Sequence, residues 1–265
     1  MGAIKFVPLI LFSALLLVPI GAPNALAILF GGIEFPDGAI SFADAVLTYD
    51  NTLGGSPPTD INFLDPAQSL GIPDYVDPIG SVSLGSGGLL EVEFIDNVLT
   101  NDGGPGLDIH IFEIGPDIED TFVSIRPTAA TALLLGAGFD TGVPGVPATI
   151  GDGFYEIGMV MGATDSIDID SFFPAAAAGT YRFDAVQLID DQVQDQQSGP
   201  TVGADIDAIG AISTISMLVG GTFIPIDTTA LLLAGIQTNA VWIISALAII
   251  GSLAFGAVYI TAKRN

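Results

Sequence analysis

The sequence has no cysteine, and among its 265 residues only five cations, one histidine and one tryptophan. The missing cysteines exclude disulfide staples, thiol nucleophiles and thiolate metal sites. With one histidine and no cysteine, zinc lacks its usual ligands. Three of the five cations lie at the chain ends: Lys5, Lys263 and Arg264. Between Ala27 and Ala240 stand thirty acidic residues against Arg126 and Arg182, a net charge of −28. Nothing there could neutralise phosphates, which disfavours a nucleic-acid partner, and none is expected. The acids cannot pair with one another. They are solvated, held in salt, or bound to cations.

What is present begins with the two ends. Lys5 precedes an apolar run from Phe6 to Ile20 and the small-residue exit Asn24-Ala25-Leu26-Ala27. That pattern predicts a secretory signal peptide over residues 1–27. Residues 240–262 carry no charge and are followed by Lys263-Arg264-Asn265. A run of about 20 apolar residues spans a bilayer, and basic residues favour the cytoplasmic side. The sequence therefore predicts an ectodomain over 28–218, a juxtamembrane linker over 219–239, one transmembrane helix over 240–262 and a basic tail over 263–265. Within the linker, Ile224 to Gly235 is apolar but too short to cross, and is expected at the membrane interface beside Trp242.

Aspartate outnumbers glutamate, 24 to 6. Aspartate forms turns and ligates hard cations, so turns and calcium loops both explain the bias. Abundant Gly and Pro, and short Ile/Val/Phe runs, predict an all-β domain, a β-sandwich or jelly roll. Strands are expected at 81–84, 89–94, 107–114, 121–125, 155–161, 166–169, 181–189 and 206–217. The first two are read as joined by a Gly85-Ser86-Gly87-Gly88 turn. Leu90, Val92 and Phe94 should face one way and Glu91 and Glu93 the other. Residues 129–138 read as either a strand or a short helix. The alanines at 175–178 read as loop, between Pro174 and Gly179.

His110 alternates with Asp108 and Phe112, which allows a general base oriented by a carboxylate, or simply a surface histidine. No Gly-x-Ser-x-Gly elbow accompanies it. Asp205-Ile206-Asp207 puts two carboxylates on one face of the last long strand. With Asp44 near the domain start, and Asp108 and Glu113, they form a candidate Ca²⁺ site assembled across strands. Asp96, Asn97 and Asp102 read as serving their own turns. Tyr49, Tyr75, Tyr155 and Tyr181 are the candidate platforms for a sugar ring, and each also reads as core or turn packing.

Several segments keep a common order: Ser41-Phe42-Ala43-Asp44-Ala45-Val46, Asp65-Pro66-Ala67, Leu70-Gly71-Ile72-Pro73-Asp74, Ser81-Val82-Ser83-Leu84-Gly85, Glu93-Phe94-Ile95-Asp96-Asn97, Gly104-Pro105-Gly106-Leu107-Asp108, Ile111-Phe112-Glu113 and Gly203-Ala204-Asp205-Ile206-Asp207. Together they resemble an exported domain of bacterial and archaeal cell-surface proteins with sorting-type C-termini. The resemblance implies a galactose-binding-like jelly roll, a scaffold used for carbohydrate binding and often holding a structural calcium. The chain departs from that pattern after Ser124-Ile125-Arg126-Pro127, where an apolar stretch replaces a polar strand and hairpin. The tail from Ile224 to Gln237 resembles that of surface proteins of ammonia-oxidising archaea. It implies either a permanent anchor or a sorting signal processed by a sortase-like transpeptidase.

These readings together predict a cell-surface, membrane-anchored, calcium-stabilised module. It would bind an envelope glycan or matrix, or act structurally in a surface coat, and would not be an enzyme. The rival is an anchored or secreted hydrolase using a carboxylate pair.

Overall fold

A computed structural model describes residues 27–115, 119–162, 165–193 and 199–217. The expected signal peptide up to residue 26, the linker from residue 219, the transmembrane helix and the basic tail lie outside the described residues. Among the described residues no helix is long and apolar enough to cross a membrane.

The described fold is all-β. Its strands are β1 (Ile28–Phe30), β2 (Ile33–Phe35), β3 (Ala45–Asp50), β4 (Val82–Ser83), β5 (Leu89–Glu93), β6 (Asn97–Thr100), β7 (Ile109–Glu113), β8 (Asp120–Pro127), β9 (Tyr155–Met161), β10 (Asp165–Ile167), β11 (Arg182–Asp190), β12 (Asp205–Ala211) and β13 (Thr214–Ser216). The one α-helix is α1 (Ala129–Leu135). The stretch 129–138 therefore resolves as the helix Ala129–Leu135 followed by a 3-10 turn from Ala137. Alanine and leucine are strong helix formers, and Gly136 at φ +77° ends the run. The alanines at 175–178 are loop, as expected.

Two sheets share one core, in a sandwich-like arrangement. The smaller has the order β10-β7-β12-β4. In the larger, β11 pairs with β8 on one side and with β5 and β6 on the other; β9, β3 and β13 extend it. Ile109, Ile111, Ile206 and Ile209 from the first sheet meet Leu90, Val92, Val123, Ile125, Val186 and Leu188 from the second. Leu90, Val92 and Phe94 are buried as the alternation requires, while Glu91 and Glu93 are half-buried on the other face.

Three departures have causes in tertiary pairing. Residues 85–88 do not close a hairpin. β4 pairs with β12 and β5 with β11 and β3, so this Gly-rich stretch crosses between sheets. The expected strand 206–217 divides into β12 and β13 in different sheets. The break is fixed by the Asp108 carbonyl, which accepts from Ile212 N–H at 2.7 Å and Ser213 N–H at 3.0 Å. β7 does not alternate in burial, because all five of its residues are buried. The β1–β2 hairpin brings Phe30, Ile33 and Phe35 with Phe42 over Phe112 and Ala208, adding a second apolar layer outside the smaller sheet. A strand covered on both faces buries every position, here including the polar His110 and Glu113. The start and end of the domain do meet: Ala43 N–H donates to the Ile209 carbonyl at 3.0 Å.

Candidate functional site

The clearest cluster of ligand atoms is built where β7 begins and β12 gives way to β13. Three segments converge there. The loop before β7 supplies Asp102. Asp108 is the last residue before β7. Asp170 comes from the 3-10 turn Ile169–Ser171 that follows β10. One ligand oxygen from each of the three lies within 4.8 Å of the others. Two oxygens on opposite sides of a calcium ion at about 2.4 Å would be about 4.8 Å apart, so the span suits a hard cation.

Each carboxylate is held by backbone donors. Asp102 Oδ1 accepts from Gly104 N–H at 2.6 Å. Asp170 Oδ1 accepts from Asn101 Nδ2 at 3.0 Å, and its Oδ2 accepts from Gly103 N–H at 2.8 Å. Asp168 fixes the turn by accepting from Asp170 N–H. Gly106 is required by close approach: a Cβ there would stand 1.8 Å from Asp102 Oδ2. Asp102 is exposed and Asp170 half-buried, leaving an open side for water ligands.

Asp108 is the informative member. It is fully buried, and its Oδ2 accepts from Ile169 N–H at 2.9 Å. Its Oδ1 is buried and has no hydrogen-bond partner. The Ser213 hydroxyl and the Ile169 N–H both favour the carboxylate but offset only part of the burial. Desolvation, helped by Asp102 and Asp170, pushes the Asp108 carboxyl up to about 7. A buried carboxylate with a bare oxygen is costly unless a cation faces it. Among the described residues no cation does. Arg126 pairs with Asp184 at 2.6 Å and Glu93 at 3.4 Å, and Arg182 Nε donates to the Gly179 carbonyl.

The five acids expected to share one calcium are dispersed. Asp108 and Glu113 stand at opposite ends of β7, about 17 Å apart at the usual ~3.3 Å rise per residue, so one ion cannot touch both. Asp44 is exposed, and its Oδ2 accepts from the N–H groups of Ile95 and Asp96. Asp207 sits at a β12 bulge, where Oδ1 accepts from Asp74 N–H at 3.1 Å; burial pushes it up to about 6. Asp205 accepts from the Ser83 hydroxyl, and burial pushes it up to about 7. Asp205 and Glu113 do come together. Burial, and then Glu119, Asp205, Asp190 and Asp120, push Glu113 up to about 9. Among the described residues neither Asp205 nor Asp207 belongs to a three-ligand cluster.

Asp102, read from the sequence as a turn former, and Asp170 are the members of this cluster that sequence reasoning missed. Their only local signal is the pairing of Asn101-Asp102-Gly103-Gly104 with Asp168-Ile169-Asp170.

His110 is buried, not on the surface, with Nδ1 against the Ser166 hydroxyl and its ring edge-on to Phe112. Burial holds it down at about 4, opposed by Asp165. Asp108 spends its hydrogen bond on Ile169, not on this ring. The tyrosine hydroxyls are committed to structure. Tyr49 donates to the Ser83 carbonyl, Tyr155 to Gly136, Tyr181 to Pro174 and Tyr75 to the Asp77 carboxylate. Comparison with protein-family models, with curated proteins and with solved structures gave no match to this chain.

Proposed function

We propose that the chain is a calcium-stabilised jelly-roll module displayed on the cell envelope, where it binds an envelope glycan or serves as a structural element of the surface coat. The observation that carries this reading is the carboxylate triad of Asp102, Asp108 and Asp170, with the bare Oδ1 of the fully buried Asp108. Calcium there would join the loop before β7, the turn after β10 and the crossover from β12 to β13. These are three points where chain passes between or beyond the sheets, and no disulfide holds them. Metal that binds only the folded state stabilises it by mass action.

The placement outside the cell rests on the pattern of residues 1–27 and 240–265 and on the resemblance of the ordered segments to surface domains. The high acidity of the ectodomain supports it, since calcium is plentiful outside cells and such charge needs counterions.

One experiment tests both halves. Intact cells are treated with proteinase K in millimolar calcium and, separately, in EGTA. The proposal expects a resistant ectodomain in calcium and rapid cleavage in EGTA. Equal cleavage in both removes the calcium. Full protection in both, with cleavage only after lysis, removes the surface location.

A further inference from the structure

The edge of the larger sheet carries a second feature, independent of the metal. β9 is hydrogen-bonded to β8 on one side, and among the described residues no other strand pairs with it. It is seven residues long and contains neither lysine nor proline, two of the usual protections of an edge, and its one bulge is the protection it does carry. Its backbone is accessible at Gly158, which is exposed at φ +101° in the bulge between the Phe122↔Met159 and Ser124↔Glu156 pairs. Met161 is 69% exposed.

Beside this edge lies a cleft of about 330 Å³ lined by Phe122, Ser124, Val143, Pro144, Met159 and Phe172. Glu156 also lines it. Its carboxylate is turned to the 141–142 loop, accepting from Thr141 N–H and Oγ and from Gly142 N–H at 2.7–2.8 Å. Phe172 keeps 40% of its surface exposed at the rim. Ser124 Oγ is buried with no hydrogen-bond partner.

We propose that β9 accepts an extended segment of another protein as an added strand, with one apolar side chain of that segment seated in the cleft. An open edge supplies backbone hydrogen bonds, and a pocket beside it reads alternate side chains. The partner segment carries Lys or Arg flanking its apolar residue. On and beside β9 the charged residues are acidic, Glu156 in the strand itself and Asp165 in β10, which lies against it, while Arg126 is already engaged by Asp184 and Glu93. A second copy of this chain does not meet that requirement. Among its described strands the only cations are Arg126 in β8 and Arg182 in β11, both interior to the sheet. A like-charged acidic surface would also repel it.

The test uses the full-length protein in detergent, with calcium present throughout so that the metal reading is not at issue. The probe is a nine-residue peptide, Lys-Thr-Thr-Val-Phe-Val-Thr-Thr-Lys, titrated calorimetrically at fixed ionic strength. The proposal expects saturable binding. It expects a loss of at least about tenfold when alternate amides on the hydrogen-bonding edge are N-methylated. It expects a similar loss when Phe is moved by one position, because a one-residue slip turns it to the other face. Phe172→Ala, at a partly exposed rim residue, should weaken binding severalfold with an unchanged circular dichroism spectrum. Hydrogen exchange should slow at β9 amides. Absence of binding, or equal binding of the methylated and shifted peptides, overturns the proposal. The latter would mean charge attraction alone.

Discussion

Replacing Asp108 with asparagine should produce an unusual pair of effects. The carboxyl is fully buried and pushed up to about 7, roughly three units above an exposed aspartate. At about 1.4 kcal/mol per unit, keeping it ionised in the metal-free fold at pH 8 costs about 4 kcal/mol. Asparagine removes that cost. Its carbonyl can still accept from Ile169 N–H, and its amide faces the carboxylates of Asp102 and Asp170. In EGTA at pH 8 the variant should therefore melt above the wild type, by up to about 10 °C for a domain of this size. Calcium should narrow that gap without closing it, because its effect on the wild type is the smaller of the two. Extracellular calcium modules bind with Kd of about 0.1–1 mM, so 10 mM calcium should stabilise the wild type by about 1.4–2.7 kcal/mol. That corresponds to a rise of about 3–11 °C. The variant, with one ligand charge gone and an amide in place of the bare oxygen, should respond little. The assay is scanning calorimetry of the full-length protein in EGTA, calcium and magnesium. A variant that melts below the wild type in EGTA and keeps the full calcium rise would refute the reasoning.

Three further outcomes follow from the same geometry. Gly106→Ala should weaken calcium binding about tenfold or more by pushing aside the flexible end of Asp102. The melting temperature in EGTA should change by less than about 3 °C, since no backbone is struck. Asp207→Asn should keep the calcium shift of the wild type. Asp207 caps the Asp74 N–H and is not part of the triad, so any loss of calcium binding in a dialysis assay would restore it as a ligand. In EGTA the protein should lose stability as pH rises from 5 to 8.5. Asp108, Asp205, Asp207 and Glu113 all have folded values above the usual 3.9–4.3, so their contribution is full below about pH 4 and lost as pH passes through about 6–9. His110 acts oppositely, losing stability as pH falls from 6.5 toward 4. Asp102 and Asp170 face Asp108 and add to its rise. Saturating calcium should flatten the profile, and a melting temperature rising with pH in EGTA would contradict these signs.

The local part of the fold was legible because period-two burial is a local property. Leu90, Val92 and Phe94 against Glu91 and Glu93 needed only the pleat. The β9 limits, 155–161, followed from Gly153 on one side and Gly162 on the other. What was not legible depends on partners distant in the chain. Whether Gly85 to Gly88 turns or crosses is decided by β11 and β12, about a hundred residues away. The break at Ile212 and Ser213 is made by a carbonyl at Asp108. Burial of His110 comes with a strand that the phenylalanines of the β1–β2 hairpin cover from outside. Of the expected ligands only Asp108 reached the triad. Residue spacing placed Asp205 and Asp207 together on a strand, but the bulge at Asp207 and the length of β7 separate the set. Asp102 looked like a turn residue because it is one. Its place in the triad appears only when the turn at Asp168 to Ser171 folds against it.

The most direct measurement is a crystal structure of the protein grown with calcium and then exchanged with terbium, examined by anomalous difference density. The account predicts one strong peak between Asp102, Asp108 and Asp170, about 2.3–2.6 Å from an oxygen of each. A peak confined to Asp205 and Glu113, or none at either place, would contradict it.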